Sequence, residues 1–479
     1  MSLQRQIAHN TIIQLIGKAL STILALVAVM IMTRALGVEK FGWYITAVGF
    51  LQFIGLLSDF GFTVTTARML ALPSFNKRKL LYTIFTWRFI TAFISNGLAT
   101  LIIFLFPYPL EIKIAVLVLS ISFIGYSLNQ VFTGYYQNKL KMYVHTMGEL
   151  LGRVFLVIGT AGLFYLHGGF IPLMAVVSIG SVINCRYLWK NCGGLKFSLD
   201  KKISAALFKN IWPVAISVIF NAFYLQGDRV ILPLFVSQTD VGLYGAAYRV
   251  LDMVAQLAAI AMGIMLPLLT CSWSMSDHKE FKKRAQLSFD LVCLILFPMI
   301  AGVIALSQPI ILFVAGEKFA SAGRILSFLI IATLGITFGM IFGHITLAID
   351  KQKQVLWIYI SDAILSIVGY LIFIPQFGVY GAVFVTIFSE FYAGLMLFIA
   401  SAYYSRFIPN VKNLLKIILA SIIMGLAVYL FPTPHVLLSI TMGIVIFIFF
   451  VLILRIISGD TLRKILYKET PIIADIPEN

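Results

Sequence analysis

Long runs of apolar residues alternate with short polar connections along the whole chain. The run at residues 11–32 sets the pattern, because nearly all of it is apolar and Lys18 is its one full charge. A run of roughly 20 apolar residues can cross the hydrocarbon core of a bilayer as a helix. A lysine deep inside such a helix costs on the order of 3 kcal/mol unless it faces water. The pattern predicts a membrane helix with a buried cation, a tight reversal at 33–37 and a second helix.

Apolar runs of spanning length recur to the end of the chain, about fourteen in all. Several of them end at glycine or proline, which interrupt helices. An even number of spans would leave both termini on the same side of the membrane. The runs lie near residues 10–34, 41–61, 80–106, 112–136, 144–165, 170–189, 208–234, 241–268, 287–306, 324–348, 355–374, 379–403, 412–431 and 435–456.

Composition agrees with an integral membrane protein. Of the 479 residues, 60% are hydrophobic and only 11% are charged, a balance that no soluble globular class shows. The first run is too long for the core of a signal peptide and has no small-residue cleavage site after it, so we expect it to remain in the mature protein. The four cysteines are scattered without ligand partners at metal spacing, and we expect them to stay reduced: Cys185, Cys192, Cys271 and Cys293.

The positive charge follows the same membrane pattern. The formal net charge is +17, and basic residues are concentrated in alternate connections, such as those at 77–79, 186–202 and 279–284. The positive-inside rule therefore predicts that both termini are cytoplasmic. It also accounts for the charge without a nucleic-acid partner. The longest connection on the other side, near 307–322, is expected to be a loop.

An internal repeat divides the predicted spans. An acidic residue followed by Gly-x-Tyr enters the second span at 39–44 and the eighth span at 239–244. A repeated unit with an even number of spans keeps its orientation, so the halves would be related by an axis along the membrane normal. The predicted divisions are an N-terminal six-helix lobe at 1–190, a C-terminal six-helix lobe at 191–405, an added helix pair at 406–456 and a cytoplasmic tail at 457–479.

Three segments carry a family resemblance. They read RALGVEKFGWY at 34–44, SDFGF at 58–62 and PQFGVYGA at 375–382. With the number of spans and the loop lengths, they resemble the polysaccharide exporter (Wzx-type flippase) branch of the MOP (multidrug/oligosaccharidyl-lipid/polysaccharide) superfamily. The resemblance covers essentially the whole chain. It implies an all-α integral membrane protein in which two six-helix lobes form a V, with a C-terminal helix pair added.

The resemblance also implies a function. Such a protein flips an undecaprenyl-pyrophosphate-linked oligosaccharide, an O-antigen or other polysaccharide repeat unit, from the cytoplasmic to the outer leaflet of the cell membrane. No catalytic residue, metal or organic cofactor is expected, and coupling to H⁺ or Na⁺ stays open. The partners implied are the lipid-linked oligosaccharide, the bilayer, glycosyltransferases and a polysaccharide polymerase.

Charged side chains inside the predicted spans are the candidates for a translocation path, because the bilayer penalises charge elsewhere. Lys18 and Arg88 have no acid three or four residues away in their own helices, so we predict that both face a water-filled central cavity. Cations there would offset the cost of moving a pyrophosphate through a low-dielectric layer. The candidate substrate-binding cations are Lys18, Arg88, Arg153, Arg229 and Arg249.

The acids inside spans have two open interpretations, ion pairing or a role in the cavity and in ion coupling. Glu149 precedes Arg153 by four residues and Asp252 follows Arg249 by three, so each pair shares a helix face. Asp59 is expected at the membrane interface, near a cytoplasmic end. The candidate coupling or pairing acids are Glu149, Asp228, Asp252, Asp362 and Glu390.

Uncharged polar residues inside spans are candidates for binding the sugar. For each of them an ordinary hydrogen bond between helices is the alternative. Asp228 and Arg229 are adjacent and point about 100° apart on a helix, so at most one of them faces a given surface. The polar candidates are Gln14, Asn96, Asn129, Gln130, Asn221, Tyr224, Gln226, Tyr244 and Tyr248.

Three other functions compete with the exporter. A multidrug cation antiporter of the same superfamily typically has an acid in its first helix, where this chain has Lys18. A membrane glycosyltransferase, polymerase or ligase would generally need a large outward loop, which the chain lacks. A peptidoglycan lipid-precursor flippase is separated from the exporter only weakly by the sequence.

Overall fold

The computed structural model describes residues 3–62, 65–66, 69, 76–139 and 141–456, with side chains described except at 3–12, 15, 210, 212–218 and 221. Within these ranges the chain is helical and has no β-strand, as the all-α prediction requires. The predicted tail at 457–479 lies outside the described residues. The helices are α1 (Leu3–Asp59), α2 (Lys77–Ile102), α3 (Leu110–Asn138), α4 (Met142–Tyr165), α5 (Phe170–Asn191), α6 (Lys201–Phe235), α7 (Gln238–Ser274), α8 (His278–Ala305), α9 (Ser307–Ala315), α10 (Ala322–Leu329), α11 (Ala332–Ala348), α12 (Leu356–Phe377), α13 (Val379–Ser405), α14 (Lys412–Leu430) and α15 (Val436–Ile453).

α1 is bent at Gly37. The backbone there is non-helical, with φ of 69° and ψ of −179°, a conformation that glycine adopts without the strain of a side chain. The bend divides α1 into a first arm at 3–36 and a second arm at 38–59. It lies at the place where the sequence predicted a break between two spans.

Twelve segments of the described chain are long and apolar enough to cross a membrane. One of them, Ile16–Asp59, contains both arms of α1. α6 is not among the twelve, and part of its side chains is not described. The chain is therefore a multi-pass membrane protein, and the count of about fourteen spans stays a prediction.

The connection at 307–322 is not a loop, and that prediction is wrong. It forms α9 and a 3₁₀ turn, in which Ile311 and Phe319 are fully buried. The Arg34 guanidinium donates hydrogen bonds to the carbonyl oxygens of Phe313 and Val314, at 2.8 and 3.2 Å. These carbonyls lie at the C-terminal end of α9, where unpaired acceptors and the helix dipole favour a cation. α9 is too short to span the membrane, so the length of its apolar run indicates a loop. Its partner Arg34 is distant in the sequence, so the sequence does not reveal that the segment packs as a helix.

Helix contacts show how the cavity described below is enclosed. α3, α4 and α5 pack on one another, and α1 packs on α3 and α4. α13 packs on α11 and α12, α12 on α6, and α11 on α7. α1 joins the two sets because it also packs on α6 and α7. α14 packs on α8, and α15 packs mainly on α14. The division into lobes at 1–190 and 191–405 and a helix pair at 406–456 stays a prediction.

Candidate functional site

Three adjoining compartments form one polar cavity around α1. Compartment A, of about 380 Å³, lies between the first arm of α1, α3, α4 and α5. Compartment B, of about 490 Å³, lies between the second arm of α1, α2, α3 and α7. Compartment C, of about 440 Å³, lies between the first arm of α1, α4 and α7. Arg153 lines all three compartments, so we treat them together as the central cavity.

The predicted cations lie along this cavity. Lys18 lines compartments A and C, Arg88 lines B, and Arg249 lines B and C. Arg229 lines a small cleft beside the cavity, together with Arg249. The five cations come from α1, α2, α4, α6 and α7, so the fold brings together residues that are far apart in the sequence.

Arg88 is held by an ion pair from another helix. Its Nη2 lies 2.6 Å from Oδ1 of Asp59, and its guanidinium also donates to the carbonyl oxygens of Ser58 and Ser127, each at 3.3 Å. Arg88 is only 3% exposed. Asp59 faces Arg88 with 18% of its side chain exposed, and its position at the membrane interface stays a prediction. Arg88 therefore lines the cavity but adds little net charge to it.

This ion pair is expected to stabilise the fold. Asp59→Ala should lower the free energy of unfolding by about 3 kcal/mol, because it leaves the buried Arg88 guanidinium without its carboxylate partner. The double variant Asp59→Ala/Arg88→Met should recover more than half of that loss. Thermal unfolding of the purified protein in detergent measures both effects. If the two substitutions destabilise additively, the pair does not have this role.

The charge of Arg229 is also compensated, by the carboxylate of Asp252 on another helix. Its Nη2 lies 3.2 Å from both carboxylate oxygens of Asp252, and its Nη1 donates to Oε1 of Gln52 at 3.0 Å. The guanidinium also lies 4.3 Å from the centre of the Tyr248 ring. Asp252 therefore pairs with Arg229 of α6 and not with Arg249 of its own helix, the partner that one of the open interpretations gave it.

Glu149 and Arg153 do not form a helical ion pair with each other, which was one of the two interpretations that their spacing left open. Oε1 of Glu149 accepts a hydrogen bond from Oγ of Ser21 at 2.6 Å, and both Glu149 and Arg153 line compartments A and C. In the described part of the chain, no carboxylate oxygen lies within 4.0 Å of the charged nitrogens of Lys18, Arg153 or Arg249. The face of α4 that carries Glu149 and Arg153 therefore lines the cavity, and the two side chains do not form an ion pair with each other.

The central cavity therefore carries excess positive charge. Two of the five cations are compensated by the ion pairs just described. The charges left over on the described lining residues are three cations and one acid, an excess of two positive charges. These residues are Lys18, Arg153, Arg249 and Glu149.

The remaining acids lie apart from the three compartments, among α6, α7, α12 and α13. Asp228 and Asp362 are buried, and no basic nitrogen of the described residues lies within 4.0 Å of their carboxylates or that of Glu390. Pairing with a cation is therefore not what holds them, and a role in coupling stays a prediction. Tyr244 donates to Asp228 at 2.7 Å and Tyr224 donates to Glu390 at 2.7 Å. Ser389 and Ser366 donate to Asp362, at 2.9 and 3.4 Å.

Some uncharged candidates also lie in the cavity. Asn129 and Gln130 line compartment A, and Gln226 lines compartment B. Asn96 donates a hydrogen bond to the carbonyl oxygen of Ala92 in its own helix, at 2.8 Å, and not to another helix as the alternative had it. The side chain of the predicted candidate at position 221 is not described.

Asn129 was a candidate from the sequence, but the polar stripe on α3 to which it belongs was not recognised. Ser122, Tyr126, Asn129 and Thr133 all line compartment A, and their spacing of three and four residues places them on one helix face. Reading each apolar run for its polar face, and not only for its length, would also have found Ser122, Tyr126 and Thr133. The same reading would have found His145 on α4, four residues before Glu149.

At the Gly37 end, the second arm of α1 and α7 touch backbone to backbone. Gly42 packs against the carbonyl oxygen of Gln238, and Gly242 packs against that of Val38, so that a Cβ at either glycine would overlap it. Oγ1 of Thr46 donates to Oε1 of Gln238 at 2.7 Å. The two glycines are equivalent positions of the internal repeat. The contact leaves no room for a substrate between these two helices at this end.

The helical fold and the charged cavity inside it define a multi-pass membrane transporter. Residues 7–273, more than half of the chain, match a family model described as polysaccharide biosynthesis protein. The chain belongs to this family.

Named relatives support the same class. The chain is similar to the succinoglycan biosynthesis transport protein ExoT of Rhizobium meliloti, with 26% identity over 38% of this chain and 36% of ExoT. The alignment therefore spans about a third of that relative. The chain is also similar to a Shigella flexneri protein that carries the name O-antigen transporter, with 22% identity over 78% of this chain and 93% of the relative.

Solved structures share the fold. A structure of the lipid II flippase MurJ in an inward-closed conformation matches with a TM-score of 0.76 at 20% identity, over 95% of this chain and 98% of that one. An inward-facing multidrug resistance MATE transporter of the MOP superfamily matches with a TM-score of 0.66 at 13% identity, over 81% of this chain and 94% of that one. The chain thus has the MOP-type fold that its sequence predicted.

Proposed function

We propose that this protein is a flippase that moves an undecaprenyl-pyrophosphate-linked oligosaccharide from the cytoplasmic to the outer leaflet of the cytoplasmic membrane. One observation carries the proposal: Lys18, Arg153 and Arg249 line a cavity inside a membrane protein without a carboxylate partner among the described residues. Uncompensated charges are costly at membrane depth. An anionic group that enters the cavity would compensate them, and a pyrophosphate has the required charge.

The names of the relatives support the polysaccharide part of the proposal. One is a succinoglycan transport protein and another is named for O-antigen transport. Both names refer to the transport of a polysaccharide or an O-antigen. On this proposal the glycosyltransferases that build the unit act before the flippase, and a polysaccharide polymerase acts after it.

The contact between Gly42 and Gly242 gives the proposal a mechanism. With both termini in the cytoplasm, as the basic connections favour, the Gly37 end faces outward. The backbone contact then closes the cavity to the outside while the substrate enters from the cytoplasmic leaflet. Export requires the second arm of α1 and α7 to separate, so that the cavity opens on the other side. Such alternating access needs two packings of close free energy.

The source of energy is a separate part of the proposal. Asp228, Asp362 and Glu390 lie outside the central cavity, each held by a hydroxyl donor. Carboxylates of this kind could bind H⁺ or Na⁺ while the substrate occupies the cavity. We propose them as coupling groups, and they are not needed for binding the lipid.

Two other functions can be compared with the charge of the cavity. A multidrug antiporter fits it less well, and a peptidoglycan-precursor flippase fits it equally well. A cationic drug would be repelled by the excess positive charge of the central cavity, which disfavours a multidrug antiporter. A peptidoglycan precursor also carries a lipid pyrophosphate, so the similarity to the MurJ structure keeps that substrate as a second candidate. The relatives' names favour the polysaccharide unit. None of these relatives is named as an enzyme, and we propose transport without catalysis.

A transport assay tests the proposal. In proteoliposomes that contain a labelled lipid-linked oligosaccharide, the wild-type protein should move the label between leaflets, and Lys18→Ala should lower the rate roughly tenfold through the loss of one charge-assisted contact. Lys113→Ala is the matched control, because Lys113 lines none of the three compartments. No movement by the wild-type protein would refute the proposed function. Wild-type rates with Lys18→Ala would refute the role of Lys18.

A further inference from the structure

Compartment A has the chemistry of a site for uncharged sugars. Its polar lining is mainly hydroxyl and amide groups from α3 and α5, beside Lys18 and, on α4, His145, Glu149 and Arg153. Compartment B instead holds Arg153 and Arg249, which have no carboxylate partner among the described residues, and the Arg88–Asp59 ion pair. Compartment B therefore carries one more uncompensated positive charge than compartment A, where neutral hydrogen-bonding groups prevail.

The amides of compartment A have unused acceptor capacity. Oδ1 of Asn129 and Oδ1 of Asn184 are buried and have no hydrogen-bond donor among the described residues. A buried carbonyl oxygen without a donor costs free energy. Sugar hydroxyls and N-acetyl N–H groups donate hydrogen bonds, whereas a carboxylate only accepts them. These two oxygens of compartment A therefore require hydrogen-bond donors from a ligand.

The net charge of the cavity also favours a substrate whose sugars are uncharged. The excess of two positive charges on Lys18, Arg153, Arg249 and Glu149 matches a pyrophosphate diester, which carries about one negative charge on each phosphate. Lys18 could itself bind an acidic sugar. The pyrophosphate and Glu149 would then outnumber the cations that remain, and one negative charge would be buried without compensation.

We infer that the oligosaccharide carried by this protein is built from uncharged sugars, and that Glu149 discriminates against uronic acids in compartment A. The inference rests on the proposed function. Glu149 is positioned for this role because Oγ of Ser21 holds its Oε1 while the residue lines compartments A and C. A sugar carboxylate in compartment A would be a second acid beside Glu149 in that compartment, and like charges placed side by side disfavour binding.

The test compares two substrates that differ in one group. Proteoliposomes receive undecaprenyl-pyrophosphate disaccharides that end either in glucose or in glucuronic acid with the same linkage. The wild-type protein should move the glucose-ended substrate at least about tenfold faster, the factor that one like-charge contact of ordinary strength produces. Equal rates, or faster transport of the uronate, would overturn the inference alone. Movement of neither substrate would overturn the proposed function, and the inference with it.

Two variants shift the charge balance in opposite directions. Glu149→Gln raises the excess to three positive charges and should narrow the difference between the two rates. Asn129→Asp lowers the excess to one and should widen it. Glu317→Gln is the matched control, because Glu317 is exposed and lines none of the compartments. A rate ratio that neither Glu149→Gln nor Asn129→Asp changes would overturn the inference.

Discussion

Removing both Arg153 and Arg249 is expected to lower the rate of lipid-linked oligosaccharide translocation by about a hundredfold. Arg153 lines all three compartments, and Arg249 lines two of them. A hydrogen bond to a charged group contributes about 1.5–3 kcal/mol, and each 1.4 kcal/mol is about a factor of ten in an equilibrium constant. The loss of two such contacts to the pyrophosphate therefore gives the expected factor.

The control for this double variant is Arg324→Ala, which removes a cation that is exposed and lines no part of the cavity. Because neither Arg153 nor Arg249 has a carboxylate partner among the described residues, their removal leaves no buried acid unpaired. Thermal stability should stay close to that of the wild-type protein. A protein that unfolds early but transports normally per folded molecule would contradict the assignment of these residues to substrate binding.

Gly242→Val is expected to hold the protein open at the Gly37 end. A side chain at this position overlaps the carbonyl oxygen of Val38, so the second arm of α1 and α7 cannot come together. Overpacking of this kind costs about 1–3 kcal/mol, enough to shift the balance between the two packings about tenfold to a hundredfold. Translocation should fall to a similar degree, because the cavity can no longer close to the outside.

Thiol labelling measures this opening directly. A Ser122→Cys reporter, placed in the cavity lining of a variant whose four cysteines are replaced by alanine, is exposed to a membrane-impermeant maleimide outside the cell. Labelling should rise with Gly242→Val. It should not rise with Gly263→Val, because a Cβ at Gly263 on the same helix has no neighbouring atom within 4 Å. Unchanged labelling with Gly242→Val would show that this contact does not close the cavity.

Local patterns in the sequence predicted the fold class well and its long-range contacts poorly. The length of the apolar runs predicted an all-helical membrane protein, and the repeat at 39–44 and 239–244 pointed to Gly42 and Gly242. It could not reveal that the two glycines touch. The connection at 307–322 was misjudged because length distinguishes a span from a loop but does not recognise a short helix buried at one end of the bundle.

The same limit applies to the candidate site. The five cations were found from the cost of charge in a membrane, and the structure places all of them at the cavity or its adjoining cleft. Which of them are compensated could not be predicted, because spacing along one helix reveals only partners three or four residues away. Asp59 reaches Arg88, and Asp252 reaches Arg229, from different helices. The net charge of the cavity is therefore a property of the tertiary structure.

The central claim is that unpaired cations in the cavity bind the anionic head group of the lipid. Equilibrium binding of undecaprenyl pyrophosphate and of uncharged undecaprenol to the protein in lipid nanodiscs tests it most directly. The wild-type protein should bind the pyrophosphate at least about tenfold more tightly than the alcohol, and Arg153→Ala/Arg249→Ala should abolish this preference. Equal affinity of the wild-type protein for the two lipids, or a preference that survives in the double variant, would contradict the claim.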